Sequence, residues 1–266
     1  RHVHGRADGS LDRRAFSEAL RGARLVSLNA VSNVLGTVLP VEELIEEARR
    51  EGVLTLVDAA QVAGHVPVGL GTADFVAFTG HKGLLGPQGT GGLWVHPHRE
   101  IEPFVAGGTG SRSGERAMPH AYPDRLEAGT LNGPGIAGLG AGAAWVGARG
   151  VQALHAHAVE LKARLRAGLA EIPGLRLLSP AAPEGAAIVT VSAEGTPSAT
   201  LARNLDRQHD VQVRAGLHCA PEVHRLLGTT ATGAVRFSLG WASAEEDVDA
   251  AVEATAHVLG TPSAIL

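Results

Sequence analysis

With 266 residues, 44% of them apolar, the chain is long enough for one large or two ordinary domains around a buried core. Its 23 Lys and Arg against 27 Asp and Glu leave a net charge of −4, which gives no attraction for nucleic acid or an anionic membrane and argues against both as partners. A single cysteine, Cys219, cannot close an internal disulfide, which suits a reducing compartment and points to the cytoplasm.

The first residues, Arg1-His2-Val3-His4-Gly5-Arg6, are polar and carry no secretory pattern. Residue 1 is arginine and the only methionine is Met118, so the chain is expected to be a piece lacking an N-terminal part. Ser10-Leu11-Asp12 predicts the cap of a helix over residues 13–21, and residues 23–29 predict a strand. Pro40 opens an amphipathic helix over residues 41–51, with Leu44, Ile45 and Ala48 inward and Gly52 as its stop. A continuously apolar strand over residues 53–57 ends at Asp58, and a run over residues 74–78 that reads as a buried strand leads into Thr79-Gly80-His81-Lys82. Strand, helix, strand is a βαβ unit, and continuously apolar strands predict a parallel sheet covered on both faces. Ligands of such a sheet bind at the carboxyl ends of its strands. Asn33, Asp58 and Lys82 each fall just past a strand end, so one rim is expected to carry all three.

Residues 104–134 are irregular, with Gly107-Gly108-Thr109-Gly110-Ser111 near their head; no Gly-Lys-Ser/Thr follows, so this is not a P-loop. Residues 128–148 carry no charge, but their glycines, proline and asparagine predict a Gly-rich turn entering a packed helix rather than a lipid-facing helix. Helices are expected over residues 136–146 and 151–171, the latter placing His155 and His157 at the surface. After Pro173-Gly174 come strands at 175–178 and 187–191, a helix at 200–208, strands at 211–214 and 233–239, and a helix at 244–259. The expected organisation is α/β: a mostly parallel large domain over residues 1–145 and a smaller α+β domain, with its linking helix, over residues 146–266.

A lysine at the end of a buried strand is costly unless it is used. Burial frees its amine as a nucleophile, and Schiff-base formation with an aldehyde cofactor is the chemistry that most needs such a group. The plainer reading is a lysine on a solvated loop. A carboxylate ending an apolar strand, Asp58, would hold a protonated pyridine nitrogen or serve as a helix cap or ion-pair member. A lone cysteine is usually a small buried hydrophobe. Cys219, however, lies between His218 and Ala220-Pro221, where a helix start, Arg214 or a protonated His218 would favour its thiolate. A metal site of His209, His218, Cys219 and His224 is the rival, without a recognised ligand spacing.

Ser32-Asn33-Val34-Leu35-Gly36-Thr37, Val57-Asp58-Ala59-Ala60-Gln61 and Thr79-Gly80-His81-Lys82 resemble the class V aminotransferase family, in its cysteine desulfurase and selenocysteine lyase branch. Arg125-Leu126-Glu127-Ala128-Gly129-Thr130-Leu131-Asn132, Val213-Arg214-Ala215-Gly216-Leu217-His218-Cys219-Ala220 and Val235-Arg236-Phe237-Ser238 agree with it, in order and at sensible spacing. The resemblance implies the fold type I of pyridoxal-phosphate-dependent transferases. It implies that Lys82 carries pyridoxal 5′-phosphate and moves the proton at Cα, and that Asp58 faces the ring nitrogen. Gln61 would bond the ring hydroxyl, Thr79 and His81 the phosphate, and Asn33 and Arg236 the substrate carboxylate. Thr109 would reach the phosphate of a partner subunit in a homodimer with shared sites, and Cys219 would take the sulfur of L-cysteine as a persulfide, leaving L-alanine. A sulfur-acceptor protein is a further implied partner.

The family's cofactor-stacking histidine, first phosphate turn and early strands have no counterpart here. The chain alone is therefore expected to bind cofactor weakly and to expose apolar sheet edge. Other readings are a different class V reaction (selenocysteine lysis, transamination or epimerisation) and a non-catalytic truncated paralogue.

Overall fold

A computed structural model describes residues 1–112, 114–181 and 185–260. Residues 261–266 of the expected second domain lie outside the described residues. The first helix, α1 (Arg13–Leu20), starts where Asp12 accepts a hydrogen bond from the Ala15 N–H at 3.0 Å, and it buries Phe16 and Leu20 one turn apart. Helix α2 (Val41–Arg50) buries Val41, Leu44, Ile45 and Ala48 along one stripe. Glu42 and Glu43 in its first turn and Arg49 and Arg50 in its last complement the helix dipole.

Between and after these helices run β1 (Leu25–Asn29), β2 (Leu54–Asp58), β3 (Phe75–Thr79) and β4 (Gly91–Val95), side by side in that order. The first three are parallel, with Asn29 opposite Asp58 and Asp58 opposite Ala77. The fourth is antiparallel to β3, with Thr79 opposite Gly91. Two apolar strands joined by a long glycine-rich loop thus fold back on each other, and the loop at that reversal carries Lys82. The sheet ends in β1 on one side and β4 on the other. Leu25 and Leu93, on those outer strands, are 45% and 48% exposed.

Helices α3 (Gly133–Arg149) and α4 (Val151–Ala170) lead to a second, antiparallel sheet. Its strands are β5 (Leu175–Leu177), β6 (Ile188–Ala193), β7 (Arg214–Gly216) and β8 (Ala234–Ser238), in the order β5-β6-β8-β7. Leu161, Leu165 and Leu169 of α4 pack on Val189, Val191, Val235 and Phe237 of this sheet, with α5 (Ser198–His209) and α7 (Glu245–Val258) closing the core. The strand expected at 211–214 begins only at Arg214. Asp210 adopts a left-handed φ of 56° and the Val211 N–H returns to the Leu205 carbonyl at 3.1 Å, so these residues finish α5 instead of pairing. The short helix α6 (Pro221–Leu227) follows β7. The expected boundary at 145–146 falls inside α3.

The two lobes meet at the loop after β1. The Thr190 hydroxyl of β6 donates to the Val34 carbonyl, and the Ala186 N–H donates to the Gly36 carbonyl at 2.8 Å.

The glycines of α3 have a packing reason. A Cβ on Gly142 would lie 2.3 Å from the Leu84 carbonyl oxygen, and one on Gly138 2.7 Å from the Pro87 ring. The helix therefore lies directly on the backbone of the lysine loop. A Gly142→Val substitution is expected to lift the helix off that loop and to cost about 1–3 kcal/mol of stability, the usual range for overpacking. Urea unfolding measures this, and an unchanged midpoint would mean the contact is slack.

Candidate active site

Because β1, β2 and β3 run parallel and in register, their carboxyl ends share one rim. Asn33 lies four residues past the end of β1, Asp58 closes β2, and Lys82 lies three residues past β3. The lysine loop is closed on itself. The Gly80 N–H bonds the Thr90 carbonyl, and the Gly86 N–H bonds the Gly80 carbonyl, both at 2.8 Å. It is pressed against the turn that follows β2: a Cβ on Gly83 would meet the Ala63 carbonyl oxygen at 2.4 Å and the His65 ring at 2.6 Å. Only glycine permits that approach.

Lys82 is half-buried and lines a cavity of about 320 Å³ together with Gln61, His65, Arg236, Ser238 and Trp241. Residues from both lobes thus share it. Asp58 is exposed at the rim; its Oδ1 accepts from the Ala60 N–H at 2.9 Å, which leaves the other oxygen for a further donor. Thr79 Oγ1 and His81 Nδ1 are 2.8 Å apart, next to the lysine in sequence.

His65 is a site residue that the sequence reading did not single out. Burial, with smaller contributions from the charges of Lys82 and His155, holds its imidazole below the ordinary histidine range. Its position seven residues past Asp58, in a glycine turn, was the available signal. His155, expected at the surface, is instead half-buried: its Nδ1–H donates to the His65 carbonyl at 3.1 Å, and burial lowers its pKa. Period alone fixes a helix face relative to its neighbours, and the neighbour here is the 61–65 turn. His157 is exposed, as expected.

Arg236 sits on β8, where burial, and then the charge of Arg214, lower its pKa. Its Nη1 donates to the Asn33 carbonyl at 2.9 Å and its Nε to Ser238 Oγ at 3.0 Å. Asn33 in turn donates from Nδ2 to the His218 carbonyl at 2.5 Å. Asn33 therefore ties the sheet rim to both Arg236 and the loop of the single cysteine. Cys219 is exposed, and its Sγ accepts from Arg214 Nη2 at 3.2 Å. His218 does not supply the positive charge considered for it. It is buried, and burial foremost pushes its pKa down to about 4, so the cation at the sulfur is Arg214.

Protonating His218 therefore opposes folding. Stability is expected to fall as pH drops from about 6.5 towards 4, by on the order of 3 kcal/mol, because the unfolded chain takes up the proton first. Urea unfolding at pH 7 and pH 4.5 tests this, a His218→Gln variant losing that share of the dependence.

Thr109 lies apart from the lysine cavity, in an exposed stretch where its hydroxyl is 3.0 Å from that of Ser111. His209 packs edge-on against His257, ring centroids 4.9 Å apart, and among the described residues no three His, Cys, Asp or Glu gather as metal ligands. Among the described residues no helix is long and apolar enough to cross a membrane.

The residue types present fit pyridoxal 5′-phosphate: Lys82 lines a cavity and offers an amine, Asp58 closes the neighbouring strand with a carboxylate, and Thr79 with His81, close to the lysine in sequence, offers a hydroxyl–imidazole pair.

The family model described as aminotransferase class-V matches residues 1–251. A probable cysteine desulfurase of Xylella fastidiosa is 37% identical over 258 residues, covering 94% of this chain and 61% of the relative. A cysteine desulfurase of Dickeya dadantii is 36% identical over 250 residues, covering 91% of this chain and 59% of the relative. The apo structure of cysteine desulfurase from Thermococcus onnurineus superposes with a TM-score of 0.88 at 32% identity, over 98% of this chain and 66% of that one. The chain thus spans about 61% of the length of such curated relatives. Its fold is the fold type I of pyridoxal-phosphate enzymes, and the chain belongs to the class V aminotransferase family.

Proposed function

We propose that this protein acts as a pyridoxal 5′-phosphate-dependent cysteine desulfurase, converting L-cysteine to L-alanine and leaving the sulfur as a persulfide on Cys219. The observation that carries this reading is one rim where a half-buried lysine shares a cavity with Gln61 and Arg236, while Asn33 ties the cysteine loop to the same rim. Relatives named cysteine desulfurase support the choice of reaction.

Lys82 would hold the cofactor, with Asp58 at its ring nitrogen, Gln61 at its ring hydroxyl, and Thr79 and His81 at its phosphate. When bound, pyridoxal 5′-phosphate supplies an electron sink that makes the Cα–H of an amino acid acidic. Lys82 then takes and returns the proton at Cα. Arg236 and Asn33 hold the substrate carboxylate, the guanidinium matching it with a planar fork. The Cys219 thiolate, beside Arg214, attacks the substrate sulfur. A sulfur–sulfur bond forms as the Cβ–sulfur bond breaks, the electron pair stays with the three-carbon fragment, and that fragment takes up a proton and leaves as alanine.

Residues 1–145 form the cofactor-binding domain in this reading, and residues 146–266 the small domain with its linking helix. A homodimer completes each site with Thr109 from the second copy, and a sulfur-acceptor protein discharges Cys219. A cytoplasmic setting would keep that thiol reduced. The test supplies the protein with pyridoxal 5′-phosphate and L-cysteine and follows alanine together with the mass of the Cys219 peptide. Alanine with a gain of one sulfur on Cys219 supports the reading; alanine without added sulfur would assign a different class V reaction.

A further inference from the structure

Behind the cysteine loop lie two buried imidazoles that the proposed chemistry does not use. His218 and His224 are 2% and 0% exposed, and their rings stack with centroids 5.3 Å apart. Three contacts thread them together: His218 Nε2 to the Arg214 carbonyl at 3.0 Å, His218 Nδ1 to His224 Nε2 at 3.2 Å, and His224 Nδ1 to Thr229 Oγ1 at 2.8 Å.

The chemistry of the ends fixes the protons. A carbonyl only accepts, so His218 must carry its hydrogen on Nε2. In an uncharged ring its Nδ1 is then an acceptor, so His224 must donate from Nε2. His224 Nδ1 is left as an acceptor, and the Thr229 hydroxyl must donate to it. One direction of hydrogen bonding satisfies every buried atom of the chain, from Thr229 through both rings to the backbone of Arg214.

That backbone is where order is needed. His218 and Cys219 are consecutive non-glycine residues at φ 52° and 59°, the left-handed region that L side chains resist. The bond from His218 to the Arg214 carbonyl closes residues 214–218 into a loop, and the sulfur then comes to rest 3.2 Å from the Arg214 guanidinium.

We propose that His224 and Thr229 are positioning residues for Cys219: by fixing the tautomer of His218 they lock the left-handed loop that sets the thiol against Arg214. This deepens the reading of Cys219 as sulfur acceptor. Its test reads thiol reactivity and tautomer rather than turnover, so the two can fail separately.

The experiment measures the rate at which iodoacetamide alkylates Cys219, with thermal unfolding recorded for each variant. His224→Leu removes the donor to His218 and is expected to slow alkylation by about fivefold, the factor carried by one hydrogen bond of ordinary net strength. His224→Gln keeps an amide donor near the position of Nε2 and is expected to restore most of the rate. Thr229→Val should slow alkylation and Thr229→Ser should not, a pair that decides the matter if His224→Leu does not fold. NMR of isotope-labelled histidine should find both rings as the Nε2–H tautomer. Wild-type rates in folded His224→Leu and Thr229→Val, equal slowing in His224→Gln and His224→Leu, or an Nδ1–H tautomer on either ring would overturn the proposal.

Discussion

Replacing Lys82 by alanine is expected to lower alanine formation from L-cysteine by roughly 10²–10⁴-fold, the share that a positioned proton-transfer group contributes. The loss falls on chemistry rather than on folding. Lys82 is half-buried on a loop held by its own backbone bonds, Gly80 to Thr90 and Gly86 to Gly80, and by glycine contacts with the 61–65 turn and α3. None of these uses the lysine side chain. Lys82→Arg is the sharper control: it keeps charge and length, but a guanidinium does not lose its proton in proteins, so it cannot serve as the amine nucleophile. Both variants should unfold near the wild-type midpoint and both should be inactive. Alanine release measured with denaturation curves separates the two effects, and turnover surviving in Lys82→Arg would remove the lysine from the chemistry.

The second large effect belongs to Cys219. Cys219→Ala is expected to abolish the sulfur adduct on the 214–220 peptide and to cut alanine formation at least about 10²-fold, since removing a nucleophile leaves only binding and proton transfer. The thiol is exposed and contributes little packing, so stability should barely change. Arg214→Ala should fall in between, because it keeps the sulfur and removes the cation beside it. Mass spectrometry of the peptide and alanine quantitation check both. Unchanged turnover in Cys219→Ala would leave the family and the lysine in place and remove the persulfide.

The rim itself was readable from local pattern. The runs ending at Asn29, Asp58 and Thr79 read as strands of one βαβ-type sheet, and parallel strands bring their carboxyl ends together. Asp12 marked the start of α1, and Pro40 with Gly52 marked the ends of α2, because those signals lie within one turn of the residues they act on. What stayed hidden depends on partners distant in sequence. Asn33 and His218 are 185 residues apart, and no local signal announces that one donates to the carbonyl of the other. The glycines of α3 pointed to a packed helix but not to its partner, the Leu84 carbonyl that lies against Gly142. His65 was not singled out and His155 was expected at the surface, since their burial comes from each other and from the lysine loop. The pair His218 and His224 is six residues apart across a helix start, where no regular period predicts stacking.

The most direct test of the central claim is covalent. Incubating the protein with pyridoxal 5′-phosphate, reducing with borohydride and mapping the labelled peptides should place the adduct on Lys82, in the peptide that follows β3. A label confined to other amines, with Lys82 unmodified, would contradict the account.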